Sequence, residues 1–514
     1  MVASVDGLAT SAGLLMLQAG GSAIDAAIAA NAVLAVTLPN QCGLGGDLFA
    51  LVSPRGTGVE CLVSVGRAGS GSTVESLRAA GHVSAPTQGP ASITMPGCID
   101  GWVALHERYG RLDLAQVLRP AIDYAAEGFP LSEFAAAAVA KRARTSPHAR
   151  SMTRESDPVA GTIARRPGVA RVLHDVISGG RDGAYDGDFG RGIVSASAGA
   201  ISDIDLQQST AEWVRAASID VWGHRLWGPP APSQAYLTLS AAWIAERTGL
   251  LPEDSTDPRW CHILIESMRQ AAFDRPEVLW EGVDTDALLS AARLLPRASA
   301  VDPSRAARLG DTYRVGGTTY LCAVDRDGTA VSLMQSNGMS FGSGVVAGET
   351  GIWLHNRVMG FSLEPGHPAE LTPGRRPAHT LAPILVTDQE DGFVSALGTR
   401  GGDSQPQIVL QLLARLLRQG QSPADALAAG RWILRGEGDD SAFNTWGAAG
   451  AVRVDLEGQA AVGWRSGLEE RGHVVHASEP FAHPFGHAQI ILRGDGVYFG
   501  ASDPRATSGA VAGY

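Results

Sequence analysis

Thr318 stands in Gly316-Gly317-Thr318-Thr319-Tyr320, directly before the strand-like run Leu321-Cys322-Ala323-Val324-Asp325. A threonine hydroxyl is a weak nucleophile near neutral pH. It becomes effective as the first residue of a polypeptide, where its own α-amine serves as the nearby base. That chemistry requires scission of the Gly317–Thr318 bond, so the sequence reads as a precursor that cleaves itself. A second arrangement competes with this one. Gly338-Met339-Ser340-Phe341-Gly342 matches a serine nucleophile elbow, with Asp403 and His473 or His487 following in triad order. An elbow runs straight into a helix, however, and Gly342-Ser343-Gly344-Val345-Val346-Ala347-Gly348 is a poor helix start.

Other residue types in the chain could serve acyl chemistry. Gly398-Thr399-Arg400-Gly401-Gly402-Asp403 joins a strand to a helix, with Pro406 in the first turn. Two glycines at such a junction can present bare amides to an oxyanion; the plainer reading is a glycine turn before a capped helix. Arg67 follows the apolar run Leu62, Val63 and Val65, and Arg357 follows Trp353-Leu354-His355-Asn356. An arginine at the end of a buried strand can grip a carboxylate through two parallel hydrogen bonds. Surface or structural ion pairing is the alternative. His379, beside Thr380 in a loop, reads as a local hydrogen-bonding group.

These residues must be held by the elements around them. Before Thr318 the pattern is mainly helical. Ser22 with Asp25 forms a capping box opening a helix over residues 23–36 that is apolar on nearly every side and therefore belongs inside a core. Residues 98–130 read as two helices broken at Gly110, and further helices fall near 234–248 and 260–274. Residues 145–230 carry no clear period, Trp227 to Pro232 reads as an exposed turn, and 276–317 reads as a short helix and an exposed approach to the scission site. After Thr318 the period becomes two. Strands 319–325 and 329–336 flank Arg326-Asp327-Gly328, and strands 382–387 and 393–398 flank Glu390-Asp391-Gly392. A helix over 405–419 and strands at 488–492 and 497–500 complete the chain. The pattern predicts an α+β, layered-sheet protein.

The 514 residues suffice for one large domain or two intimate ones, and 45% hydrophobic with 18% charged residues is an ordinary globular balance. A net charge of −12 argues against general nucleic-acid binding. Five scattered cysteines without CxxC spacing point to neither a zinc site nor a disulfide framework. No apolar run spans a bilayer, and residues 1–6 lack signal-peptide features, which predicts a cytoplasmic protein.

Several motifs together are more specific than any one alone. They are Gly20-Gly21-Ser22-Ala23-Ile24-Asp25-Ala26-Ala27, Met95-Pro96-Gly97-Cys98, Glu266-Ser267-Met268-Arg269 leading to Asp274-Arg275, Thr318-Thr319, Phe341-Gly342-Ser343-Gly344, Arg376-Pro377 and Ala501-Ser502-Asp503-Pro504-Arg505. Carrying them, the chain resembles the γ-glutamyltranspeptidase family of N-terminal-nucleophile hydrolases over essentially its whole length. The resemblance implies a four-layer αββα sandwich. It also implies a large chain (1–317) and a small chain (318–514) from one precursor, intertwined as one domain. By the same resemblance Thr318 is the nucleophile, Ser336 the hydroxyl that orients it, Gly401 and Gly402 the oxyanion pair, and Arg67 the α-carboxylate ligand. His379 and Thr380 replace two pocket serines, and Asn337 adjoins Gly338, where the family has an asparagine. Arg357 replaces a glutamine, and Met359-Gly360 replaces the acidic pair that reads a substrate ammonium. Loss of that anion would leave a buried ammonium uncompensated.

Arg357, His379-Thr380-Leu381 and Gln405-Pro406-Gln407 look most like the oxamate amidohydrolase branch. The expected activity is hydrolysis of an amide, or an activated carbonyl, in a small carboxylate-bearing substrate. A γ-glutamyl hydrolase or transferase, a C–C hydrolase releasing an oxalyl-type fragment, and an unprocessed non-catalytic homologue remain as alternatives. No metal, cofactor, nucleic-acid or membrane partner is implied; further oligomerisation is left open.

Overall fold

The structure is a computed structural model describing residues 1–154, 156–309, 316–436 and 452–514. Two antiparallel sheets lie face to face between helical layers. Among the described residues the first sheet has seven strands, in the order Ala510–Ala512, Val2–Ser4, Gly317–Val324, Ala330–Gly338, Asp47–Ser53, Glu60–Ser64, Ala211–Arg215. The second has six, in the order Tyr498–Ser502, Ala488–Arg493, Phe393–Thr399, Ile384–Thr387, His224–Gly228, Ala217–Val221.

Period-two alternation explains the layering. Tyr320, Cys322 and Val324 point into the space between the sheets with Phe49, Leu51, Met334, Leu385, Ala396 and Ile491. Leu321 and Ala323, on the opposite face, join Leu48, Ala50, Val331 and Leu333 in the core around the Ala23–Thr37 helix. The second sheet turns Ile384, Val386, Leu397 and Ile490 toward the Ala235–Thr248, Pro258–Ala272 and Gln405–Leu413 helices. The result is the expected α+β, αββα sandwich. Every residue of Ala23–Thr37 is buried, and its capping box forms as expected, with Ser22 Oγ accepting from Asp25 N and Asp25 Oδ2 accepting from Ser22 N at 2.8 Å.

Several expectations need correction. The Trp227–Pro232 turn is largely buried, because it pairs with a neighbouring loop: His379 N donates to Pro232 O (2.8 Å) and Gln234 N to His379 O (3.0 Å). Among the described residues, 145–230 contain the Pro167–Tyr185 and Asp188–Ala196 helices and four strands. The long helix is disguised by non-helical Gly179 and Gly180 inside it. Residues 276–309 hold two further helices, Thr285–Leu288 and Ala291–Ser299. The last part of the expected exposed approach, residues 310–315, lies outside the described residues. Gly317 and Thr318 themselves are buried. All five cysteines are free and buried, as expected of small apolar side chains.

Candidate active site

Thr318 opens the third strand of the first sheet, opposite the end of Ala330–Gly338, where the register slips between Gln335 and Gly338. The slip brings Ser336 beside the Gly317–Thr318 peptide. Ser336 Oγ donates to Gly317 O at 2.6 Å, and Thr318 Oγ1 donates to the same oxygen at 2.7 Å. Ser336 Oγ in turn accepts from Gly338 N (2.8 Å) and Arg357 Nη2 (3.0 Å). Its one proton and two lone pairs are thereby all used. Thr318 N donates to Gln41 Oε1 at 3.2 Å.

The chain before Thr318 runs over the glycine pair. A Cβ on Gly316 would lie 3.2 Å from Gly402 Cα. Gly401 has φ 141° and Gly402 φ 60°, backbone that favours glycine, and a Cβ on Gly401 would meet Ser404 Oγ at 2.3 Å. The turn is held from behind. Gln234 Nε2 donates to both Thr380 O and Gly402 O at 2.9 Å, and Arg275 pairs with Asp403 at 2.8 Å, both charges buried. Gln405, at the start of the following helix, donates to Thr318 Oγ1 at 3.5 Å.

Arg357 is 1% exposed and has no carboxylate within ion-pair distance among the described residues. Its Nη1 donates to Thr380 Oγ1 at 3.2 Å. Burial lowers its guanidinium to about 10, which still leaves it charged at neutral pH. Among the described residues the anion acting on it is Asp47, whose Oδ1 accepts from Gly66 N (3.0 Å) and whose Oδ2 lies 3.2 Å from both His379 Nε2 and His355 Nδ1. Burial alone would push the Asp47 carboxyl up, but the two imidazoles hold it well below the carboxylate range. His379 is lowered to about 3, by burial first and then by Arg357. It is therefore the neutral tautomer, donating from Nε2 and accepting Leu381 N (3.3 Å) at Nδ1.

Thr318, Ser336, Arg357, Thr380 and His379 thus form one connected, buried network, with Gly402 against Gly316. Two expected residues are not brought to Thr318. Asn337 projects from the opposite face of its strand and donates to Pro39 O (3.2 Å) over the Gly43–Gly46 turn. Arg67 is part-exposed, paired with Glu281 (2.8 Å) and bonded to Gly374 O. The elbow serine also fails: Ser340 is exposed at φ 45°, and Asp403 is paired with Arg275. His473 lies against His262 (2.8 Å) and His487 against His483 (2.9 Å). Asp47, His355, Gln41 and Gln234 were not singled out in the sequence. Asp47 closes a glycine-rich run, and nothing local distinguishes it from a turn residue.

Residues 9–514 match the family model described as gamma-glutamyltranspeptidase. The chain belongs to the gamma-glutamyltranspeptidase family. It is similar to an oxamate amidohydrolase proenzyme of Klebsiella pneumoniae, at 34% identity over 99% of this chain and 97% of that protein. It is similar to a glutathione hydrolase-like proenzyme of Bacillus subtilis, also at 34% identity, over 99% and 98%. Among solved structures it resembles the cephalosporin acylase of Bacillus halodurans, with a TM-score of 0.89 and 32% identity, covering 100% of this chain and 95% of that one. The chain is accordingly a hydrolase of this family, related to oxamate amidohydrolase and glutathione hydrolase. Among the described residues no helix is long and apolar enough to cross a membrane.

Proposed function

We propose that the chain cleaves itself between Gly317 and Thr318 and then uses Thr318 to hydrolyse an amide in a small, carboxylate-bearing substrate. In maturation, Thr318 Oγ1 bonds to the Gly317 carbonyl carbon, the C–N bond breaks, and the hydroxyl proton ends on the freed amine. Water opens the ester, giving chains 1–317 and 318–514. Ser336 supports this step by polarising the Gly317 carbonyl, to which Thr318 itself donates. Departure of residues 316–317 then uncovers Gly402, so the Gly401 and Gly402 amides become available to a substrate oxyanion.

The observation that carries the substrate class is Arg357. A buried guanidinium without a carboxylate partner among the described residues, 3.0 Å from the serine beside the nucleophile, is a ready receptor for an anion adjacent to the reacting carbonyl. Thr380 and His379 would line that pocket. Arg67 can contribute only by exchanging Glu281 for the substrate, and Met359-Gly360 offers no anion to an α-ammonium. These features favour an oxamate-like amide over a γ-glutamyl one, in line with the name of the Klebsiella relative. The test is a gel and intact mass of purified protein, followed by assays on oxamate and on a γ-glutamyl anilide. Two chains and preferential oxamate turnover are expected. A full-length active protein refutes the maturation step, and efficient γ-glutamyl turnover without oxamate turnover refutes the substrate class.

A further inference from the structure

Arg400 immediately precedes the Gly401–Gly402 turn and is 7% exposed. Among the described residues it has no carboxylate within ion-pair distance. Its Nη2 donates to His483 O (3.2 Å), its guanidinium lies 5.2 Å from the Phe134 ring centre, and its Nε has no hydrogen-bond partner. Its Nη1 reaches Gln41 Oε1 at 3.4 Å. The same oxygen accepts Thr318 N at 3.2 Å. One amide oxygen therefore bridges an uncompensated cation and the nitrogen that scission would turn into an amine. Arg400, Gln41 and Thr318 also line one cavity of about 10 Å³, with Leu38, Phe134 and His487. That is room for about one water molecule.

We propose that Arg400 holds the α-amine of mature Thr318 in its neutral, proton-accepting form. This rests on the reading that Thr318 becomes a chain terminus. A second positive charge beside a buried guanidinium is opposed by Coulomb repulsion that little solvent screens. Among the described residues no carboxylate lies within ion-pair distance of Arg400, and the nearby Glu133 acts on His483. His487 and His483 are kept from protonating by burial and by Arg400, and Arg431 and Arg505 add to the effect on His487. Behind Thr319, burial pushes the Cys42 thiol up to about 12, leaving it neutral, with Arg166 and Asp6 farther off. On the Ser336 side stands Arg357, with Asp47 engaged by His355 and His379, while Asp403 is taken by Arg275. A neutral amine takes the proton from Thr318 Oγ1 as the oxygen bonds to the substrate carbonyl carbon and the carbonyl electron pair moves to oxygen. It returns that proton to the leaving nitrogen as the C–N bond breaks. In the precursor the same nitrogen is an amide, so chain scission needs no such tuning.

Arg400 is thus a positioning residue for charge, and its test is a titration. Protein labelled with [15N]threonine is followed by NMR across pH, reading the terminal amine of Thr318. In the wild type it should titrate below the ordinary α-amine range of about 7.7–8.0. Arg400→Met, which keeps contact with Phe134, should raise the midpoint by about one pH unit or more, with Arg400→Gln as a second neutral variant. Arg400→Lys should stay near the wild type, and all variants should still yield two chains on a gel. A wild-type amine in the ordinary range, or a depressed amine unmoved by loss of the charge, overturns the inference while leaving maturation intact. An uncut wild type overturns maturation itself.

Discussion

At the scale of single residues, Ser336 is the hub. It connects the Gly317 carbonyl, the cation of Arg357 and the Gly338 amide. Ser336→Ala deletes the non-nucleophilic donor to Gly317 O, and its scission, followed by gel over time, should slow by about 10²–10³-fold. Thr318→Ala should remain a single full-length chain by intact mass, because it removes the hydroxyl that would bond to the Gly317 carbonyl carbon. Arg357→Gln removes the charge but keeps a hydrogen-bonding head. With oxamate, kcat/KM should fall about a hundredfold, roughly 2.7 kcal/mol of transition-state binding. A neutral amide substrate should be affected far less. Equal loss on both would mean that Arg357 serves Ser336 rather than the substrate anion.

At the scale of elements, the site depends on how the Gly402–Ser404 turn is fastened to the Ala235–Thr248 helix. Gln234 and the Arg275–Asp403 pair do this from below the turn. Asp403→Asn leaves a buried guanidinium with a weaker partner, and urea unfolding should show a loss of about 3–5 kcal/mol. The hairpin around Arg326-Asp327-Gly328, the capped Ala23–Thr37 helix and the Gly110 break were legible in the sequence because each is set by local chemistry: alternation, capping and a helix stop. The fold was legible through combined motifs. What was hidden depends on distant partners. The Trp227–Pro232 segment is covered by distant partners, among them the His379 loop, 147 positions on from Pro232. Asp47 gains its two imidazole neighbours from residues more than 300 positions away. Arg67 reads from the residues as an ion-pair partner and by resemblance as an anion receptor, and the fold places Glu281 beside it.

At the scale of the whole molecule, several histidines are folded in as neutral groups. Burial, then nearby arginines, lowers His379 to about 3 and His473 to about 2, and puts His487 well below its usual value. The unfolded chain binds these protons near pH 6.5 while the folded one does not, so stability is present above that pH and lost as pH falls below it. Glu266, raised to about 7 by burial, opposes this trend, while the lowered His262, His367 and His483 reinforce it. Thermal unfolding should therefore show Tm falling between pH 7 and pH 5; a flat profile would mean the histidines are hydrated. A last consequence comes from the Gly317–Val324 strand, clasped by Val2–Ser4 on one side and Ala330–Gly338 on the other. Cutting at its first residues unpairs almost nothing, so neither piece has reason to leave. The proposed cut would change the order of the reaction by which the molecule could be rebuilt: one chain can find its own ends at any dilution, whereas two must collide. Renaturation of Thr318→Ala from urea should be independent of protein concentration, while that of the mature enzyme should fail on dilution, which makes maturation a one-way commitment to the first correct fold.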